Sequence, residues 1–236
     1  METLLGRRIV ITGASRGVGL ETARLFLAEG AEVLAVARDA KRLEQARAEL
    51  GAPAGRLSVL AVDLEDASAA ARIVAAVEER WGALDVLLNN AGVQIDAGAD
   101  GLVDGSEAVL RRSLEINLYA PYRLALALLP LLRKGREPRI ANVSSGAGTF
   151  AAMKDRKIAS YRLSKWSLNG LTLLLAGELA GEVAVNAFDP GWVKTDLGGP
   201  NAPGSPVESA RGALALVTLP FAETGKFWKD GQEIPF

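Results

Sequence analysis

The 236-residue chain contains no cysteine and no histidine. The first absence excludes disulfides, thiolate nucleophiles and thiolate-ligated metals. The second removes the Ser-His and Cys-His nucleophile pairs and every His-bearing zinc site, so no metal centre is expected. Proton transfer must then fall to Tyr, Lys, Asp, Glu or bound water. An excess of one charge is also missing. With 27 Lys and Arg against 28 Asp and Glu, the formal net charge is -1, and neither an electrostatic grip on nucleic acid nor charge-driven disorder is expected. The longest strongly apolar run, Leu124 to Leu132, is far short of the roughly 20 residues that cross a bilayer. Met1 to Arg8 carries both charge signs and no apolar run of signal-peptide length, so a cytoplasmic location is the default expectation. Hydrophobic residues make up 49% of the chain, and the length allows one large core in a single domain over residues 1–236.

What is present alternates between short apolar runs and helical patterns. Arg8 to Thr12 is rich in β-branched residues and leads into Thr12-Gly13-Ala14-Ser15-Arg16-Gly17-Val18-Gly19, after which Leu20 to Ala28 has helical periodicity. Gly13, Gly17 and Gly19 permit tight turning and close approach of a ligand, and a helix N-terminus offers unpaired N–H groups to a pyrophosphate. The spacing is GxxxGxG rather than the usual GxGxxG of dinucleotide sites; a plain glycine-rich turn is the alternative. A second strand, Glu32 to Ala37, ends in Arg38-Asp39. NAD sites commonly present an acid there to the ribose 2′-OH, whereas a 2′-phosphate calls for Arg. Arg38, with Arg16 available from the first loop, points to NADP(H) over NAD(H). Asp39 either reaches the ribose or caps the next helix, Ala40 to Leu50.

A third strand, Leu57 to Val62, delivers Asp63-Leu64, where the carboxylate can accept from an adenine amino group or simply make a turn. A helix from Ala67 to Trp81 stops at Gly82, and a fourth strand, Leu84 to Leu88, runs into Asn89-Asn90-Ala91-Gly92. There the small residues admit a cofactor and the two amides can tie neighbouring loops. Ser113 to Leu132 is a long helical pattern, apolar almost all round, with Asn117 inside it and Pro130 set to kink or finish it. A fifth strand, Arg139 to Val143, delivers Ser144 and Ser145. A loop over 146–160 follows, then a helix bearing Tyr161 and Lys165, and a sixth strand, Val183 to Phe188, that closes into Asp189-Pro190-Gly191-Trp192-Val193-Lys194-Thr195. Strands alternating with helices of this length imply right-handed βαβ crossovers and an α/β, doubly wound, Rossmann-type parallel sheet of about seven strands.

Tyr161 and Lys165 stand at i and i+4 and so share a helix face. A fixed cation beside a phenol stabilises the phenolate and lowers a pKa that is ordinarily about 10, which would let Tyr161 act as a general acid or base. Taken alone, the pair is also what an amphipathic surface helix would present.

Taken together, TGASRGVG at 12–19, NNAG at 89–92, Asn117, Ser145, YRLSK at 161–165 and PGWVKT at 190–195 resemble the short-chain dehydrogenase/reductase family almost end to end. Ala37-Arg38-Asp39, the segment at 189–199 and the tail FWKDGQEIPF are similar to its NADPH-dependent carbonyl reductases. The resemblance implies Ser145 bound to a substrate carbonyl and Tyr161 protonating the developing alkoxide while the nicotinamide delivers hydride. It implies further that Lys165 lowers the Tyr161 pKa and holds the nicotinamide ribose, and that Asn117 holds a water that resupplies protons. Gly13, Ser15, Arg16, Gly17, Val18, Gly19, Arg38, Asp63, Leu64, Asn90 and Gly92 would hold the remainder of the cofactor. Pro190, Val193 and Thr195 would dock the carboxamide.

The interval from Ser145 to Tyr161 is longer than is common in that family and carries the charged Met153-Lys154-Asp155-Arg156-Lys157. A surface excursion at the pocket rim is expected, and it leaves Ser144 as the alternative to Ser145. The Gly- and Pro-rich stretch within 196–210 is a candidate substrate lid. Gln94, Ile95, Phe150, Met153 and Trp192 are candidate substrate contacts by position, with core packing the alternative for the apolar ones. The resemblance also implies a homodimer or homotetramer through the helices at 113–132 and 161–180. Competing readings are a 3-oxoacyl-thioester reductase, an NADP-dependent alcohol dehydrogenase and a non-catalytic dinucleotide sensor.

Overall fold

A computed structural model describes residues 3–96 and 101–236. In chain order the elements are β1 (Arg8–Thr12), α1 (Gly17–Ala28), β2 (Glu32–Ala37), α2 (Ala40–Leu50), β3 (Leu57–Ala61), α3 (Ala69–Trp81), β4 (Val86–Asn89), α4 (Glu107–Leu114), a π-helical turn (Glu115–Tyr119), α5 (Ala120–Leu132), β5 (Arg139–Val143), α6 (Ala159–Glu178), β6 (Ala184–Phe188), α7 (Pro206–Val217), β7 (Phe227–Lys229) and β8 (Gln232–Ile234). The sheet order is β3-β2-β1-β4-β5-β6-β7-β8. Every pairing is parallel except that of β7 with β8.

Strand side chains alternate between two apolar layers. Ile9 and Ile11, Val33 and Ala35, and Phe188 pack with Phe26, Leu43, Ala213 and Leu216 of α1, α2 and α7. Val10, Leu34, Val36, Leu87 and Val185 pack on the other face with Ile73, Leu124, Leu128 and Leu175 of α3, α5 and α6. Burial on both faces is why the strands read as continuous apolar runs rather than as alternating ones. The order reverses at β1, between β2 and β4, and in such sheets the crevice at that reversal opens at the carboxyl ends of the strands.

Three features add detail to the expected outline. The helix expected over Ser113 to Leu132 begins at Glu107 and contains the π-helical turn, with Asn117 at its centre. Pro130 lies inside the last turn of α5, which stops at Leu132. An eighth strand closes the sheet through a two-residue hairpin at Asp230 (φ 49°) and Gly231 (φ 77°). Both central residues of a type I′ turn need positive φ, and Asp-Gly supplies that at low cost.

At the opposite, amino-terminal edge, Asp85 is fully buried. Its carboxylate accepts from the Arg8 backbone N–H (2.8 Å), from Arg8 Nε (2.9 Å) and Nη2 (2.8 Å), and from the Arg136 N–H (2.6 Å). Burial pushes its pKa up, but the hydrogen bonds from Arg8 and Arg136 outweigh it and hold the group below the ordinary carboxylate range. Asp85 thus fastens the starts of β1 and β5 to the approach of β4. Asp85→Asn is expected to cost about 3 kcal/mol, because it leaves the Arg8 guanidinium without its counter-charge. The melting temperature should then fall on the order of 10 °C. Since the folded pKa is depressed, the stabilisation is complete above the unfolded pKa of about 4 and fades as pH falls through the lower folded value. Thermal unfolding of both proteins across acid pH checks this, and equal curves would contradict it.

Candidate active site

The strand ends open onto a cleft of about 1360 Å³. Its floor begins at the β1–α1 turn, where Gly13 (φ 68°) and Gly17 (φ 54°) take left-handed conformations. A Cβ on Gly19 would lie 2.4 Å from both Asn90 Nδ2 and the Gly13 carbonyl, so no larger residue fits there. Asn90 ties this turn to the end of β4. Its amide donates to the Thr12 carbonyl (2.8 Å), and Thr12 Oγ1 accepts from the N–H groups of Asn90 and Ala91 (both 3.0 Å). No side chain caps the N-terminus of α1, and no acid occupies its first turn. Its N–H groups and positive dipole end therefore remain available to an anion.

The neighbouring strand tips carry cations. Arg16 and Arg38 are exposed at the cleft, and Arg42, from the first turn of α2, lines it with them. Asp39 caps α2, accepting from the Arg42 N–H at 3.0 Å, which settles its role in the local structure. Asp196 pairs with Arg16 and stands 3.7 Å from Arg42. Asp63 accepts from the Glu65 N–H (3.1 Å), a turn contact, while still lining the cleft beside Leu64.

Ser144 and Ser145 diverge. Ser144 is buried and donates to Asn169 Oδ1 at 2.6 Å, whereas Ser145 lines the cleft with Tyr161, its Oγ accepting from the Ala147 N–H at 3.1 Å. Tyr161 and Lys165 are both buried on the same face of α6. Lys165 Nζ donates to the Val143 carbonyl (2.8 Å) and lies 5.8 Å from the centroid of the Tyr161 ring. The Tyr161 phenol is pushed up to about 12, chiefly by burial, with the neighbouring Ser145 hydroxyl opposing the rise and the Asp189 carboxylate adding to it. Burial lowers Lys165 to about 8. The expectation that Lys165 depresses the Tyr161 pKa is therefore corrected. The ammonium is engaged by a backbone carbonyl over the ring rather than at the phenol oxygen, and desolvation dominates both groups.

Asn117 lies outside the cleft lining, behind Gly92. Its amide clasps Val93, accepting from the N–H and donating to the C=O (both 2.8 Å), and donates to Ser164 Oγ at 2.9 Å. The other expected residues, Gly13, Ser15, Arg16, Gly17, Val18, Gly19, Arg38, Asp63, Leu64, Asn90, Gly92, Pro190, Val193 and Thr195, line one continuous cleft with Ser145, Tyr161 and Lys165. Of the substrate candidates, Gln94 and Trp192 line it, whereas Ile95, Phe150 and Met153 do not. Phe150 is 68% exposed and packs on Trp166 instead, with ring centroids 5.8 Å apart.

The 146–160 segment forms two short 3-10 turns. It is pinned by Arg162, which donates to the carbonyls of Lys157 (2.8 Å) and Ala152 (3.2 Å) and pairs with Asp155. The lid candidate is irregular only to Ser205, since Pro206 to Ala210 belong to α7, whose start carries a Ser205–Glu208 capping box. Arg42, Asp189 and Lys229 line the cleft without a role assigned from the sequence. The last two form an ion pair (3.1 Å) in the cleft wall. Asp189 was legible as the residue before Pro190, whereas Lys229 comes near only because β7 pairs with β6. Among the described residues no cluster of acids could hold a metal, and no helix is long and apolar enough to cross a membrane.

Residues 7–204 match the short chain dehydrogenase family model, and the chain belongs to that family. It is therefore an oxidoreductase of a fold that binds a nicotinamide dinucleotide. The chain is 29% identical to (+)-neomenthol dehydrogenase of Arabidopsis thaliana over 92% of its own length and 93% of that protein's. Among solved structures it is similar to the NADPH-bound carbonyl reductase from chicken fatty liver, with TM-score 0.88 and 28% identity over 99% of this chain and 100% of that one. It is similar also to the carbonyl reductase Sniffer of D. melanogaster, with TM-score 0.86 and 30% identity over 98% and 100% of the two chains.

Proposed function

We propose that the protein is an NADPH-dependent reductase that converts the carbonyl of a small aldehyde, ketone or quinone to an alcohol. The observation that carries this reading is the convergence of Ser145, Tyr161 and Lys165 in the same cleft as the uncapped N-terminus of α1. The close packing at Gly19 and the free N–H groups of α1 suit a pyrophosphate. Arg16, Arg38 and Arg42 suit a 2′-phosphate, and the one acid at the tip of β2, Asp39, spends its Oδ1 on the cap of α2. Pro190, Val193 and Thr195 border the place for the nicotinamide. Bound there, that ring supplies the hydride.

The chain's own residues supply the remainder. The Ser145 hydroxyl donates to the carbonyl oxygen, holding it beside the Tyr161 phenol. With a pKa near 12, Tyr161 keeps its proton at neutral pH, yet it is far more acidic than the alkoxide formed as the carbonyl is reduced, so the proton passes to that oxygen. The Lys165 ammonium then offsets the phenolate left behind, and its remaining donors can hold the cofactor ribose. Asn117, fixed against Val93 and Ser164, is assigned to the route by which water restores the proton. The same site run in reverse would oxidise an alcohol, a second reading favoured by the likeness to a protein named a dehydrogenase.

Self-association belongs to the same proposal. Tyr119, Tyr122 and Leu126 at the π turn and α5, with Leu173 and Leu174 of α6, are large exposed apolar side chains. A dimer or tetramer by light scattering is expected, and a monomer at micromolar concentration would contradict it. Initial rates for a panel of aldehydes, ketones, quinones and alcohols, each with the phosphorylated and the non-phosphorylated nicotinamide, test the main reading. NADPH is expected to outperform NADH, and Tyr161→Phe to reduce turnover by about 100-fold or more with NADPH binding nearly intact. Tight NADPH binding with no turnover anywhere in the panel would sink the enzyme reading in favour of a sensor. Because Lys165 loses its charge near pH 8 while Tyr161 stays protonated, the reductive rate at saturating NADPH should be level well below that pH and fall as pH rises through it. A profile flat to about pH 10, the ordinary lysine range, would contradict that role.

A further inference from the structure

The helix that carries Tyr161 and Lys165 begins without a cap of its own. Its first residue is Ala159, and the residue before it, Ile158, sits at φ 50° and ψ 43° and provides no side-chain acceptor. A β-branched residue in the left-handed region is strained, so something else must hold the chain there. That something is Asp96, which is nearly buried and comes from the loop that follows β4. Its Oδ1 accepts from the Ser160 N–H (2.9 Å) and its Oδ2 from the Tyr161 N–H (3.1 Å). The Arg162 N–H is satisfied locally by the Ile158 carbonyl (2.9 Å). The two donors that intrahelical bonding leaves unpaired beside the reacting tyrosine are thus met by a carboxylate 64 and 65 residues away in sequence.

We propose that Asp96 is a positioning residue: its carboxylate is the N-cap of α6, supplied across the fold, and it sets the backbone of Tyr161 relative to the cofactor loop. This rests on the reading of Tyr161 as proton donor. The segment that carries Asp96 is itself fixed at both ends. Asn90 grips the glycine turn at Thr12 and Gly13, and Asn117 clasps Val93. Gln94 Nε2 donates to the Asp96 carbonyl at 3.2 Å, holding the residue's own backbone. A shift of the 90–96 segment is consequently passed to the main chain of Tyr161 through two charge-assisted hydrogen bonds. A bidentate acceptor restrains both translation and rotation of the first turn, which a single hydroxyl or amide cap would not.

Asp96→Ala removes both acceptors. Asp96→Asn keeps one and turns an N–H donor toward the other amide, so the two variants should form a graded series. Each is compared with the wild type at a temperature well below its own melting point, with active sites counted by NADPH binding. The kcat per bound NADPH is expected to fall about 10- to 100-fold for Ala, the scale of an ångström-sized misplacement, and less for Asn. The dissociation constant for NADPH and the KM for the carbonyl should change little. Amide hydrogen exchange at Ser160 and Tyr161 should lose protection in parallel. Unchanged kcat with lost protection would overturn the positioning role, and unchanged protection would overturn the cap. Should the Ala variant fail to fold, the Asn variant decides by the same two readings. A wild type that binds NADPH but turns over no substrate would overturn the functional reading instead, while exchange at the two amides still reads the cap.

Discussion

A parallel sheet buried on both faces leaves its polar chemistry only one place to go. The strands inside the sheet, β1, β2, β4, β5 and β6, are packed between helices, so their main-chain groups are consumed by neighbours and their side chains by the two cores. Polar side chains can be presented only where the strands end. The glycine turn after β1, Asn89 and Asn90 at β4, Ser144 and Ser145 after β5, and Asp189 after β6 all stand at carboxyl ends. The amino ends carry stabilising contacts instead, among them the pair of Arg8 with the buried Asp85. Chemistry and stability are thereby separated to opposite edges of one sheet.

At the reactive edge, position is held mainly by neutral groups. Asn89 donates to Asn142 and Asn142 to Thr172 of α6, each at 2.9 Å, and Ser144 donates to Asn169 of the same helix. These contacts join β4, β5 and α6 without placing a further buried charge beside Tyr161 and Lys165. That restraint matters because in a poorly solvated site charges act over long range. The two titrating groups are already pushed apart in the direction that keeps one protonated and brings the other near neutrality.

Much of this could be read from the sequence because the fold repeats one pattern, an apolar strand followed by a chemically marked turn. The glycine turn, Asn90, Ser145, Tyr161 with Lys165 and the Pro190–Thr195 segment were all legible, since each is local and its spacing follows from a single strand, turn or helix. Features that depend on distant segments were not. Arg42 carries no local signal, since it reaches the cleft only through the placement of α2 beside the end of β2. Asp96 had no local pattern, because its partners are the amides of a helix starting more than sixty residues later. The π turn around Asn117 escaped because a π insertion keeps helical periodicity on either side. The β8 hairpin was within reach, since Asp230-Gly231 between short alternating runs is a strong turn signal. The sign of the Tyr161 shift failed for a different reason: spacing reports neighbours, and burial reports solvation, which here weighs more.

Asp189 and Lys229 show how the edge accommodates a charge it cannot omit. The Asp189 carboxylate accepts from the Gly191 N–H at 2.9 Å and so shapes the turn after β6. It also presses against Gly146, where a Cβ would lie 2.9 Å from its oxygen. This close approach places a negative charge beside the Ser145 loop, and that charge raises the Tyr161 pKa. The β7–β8 hairpin brings the Lys229 ammonium to 3.1 Å from the same carboxylate, where it offsets part of the field. Lys229 follows Trp228, whose carbonyl accepts from the Asp189 N–H at 2.8 Å, so the pairing of β7 with β6 is what brings the ammonium to this carboxylate.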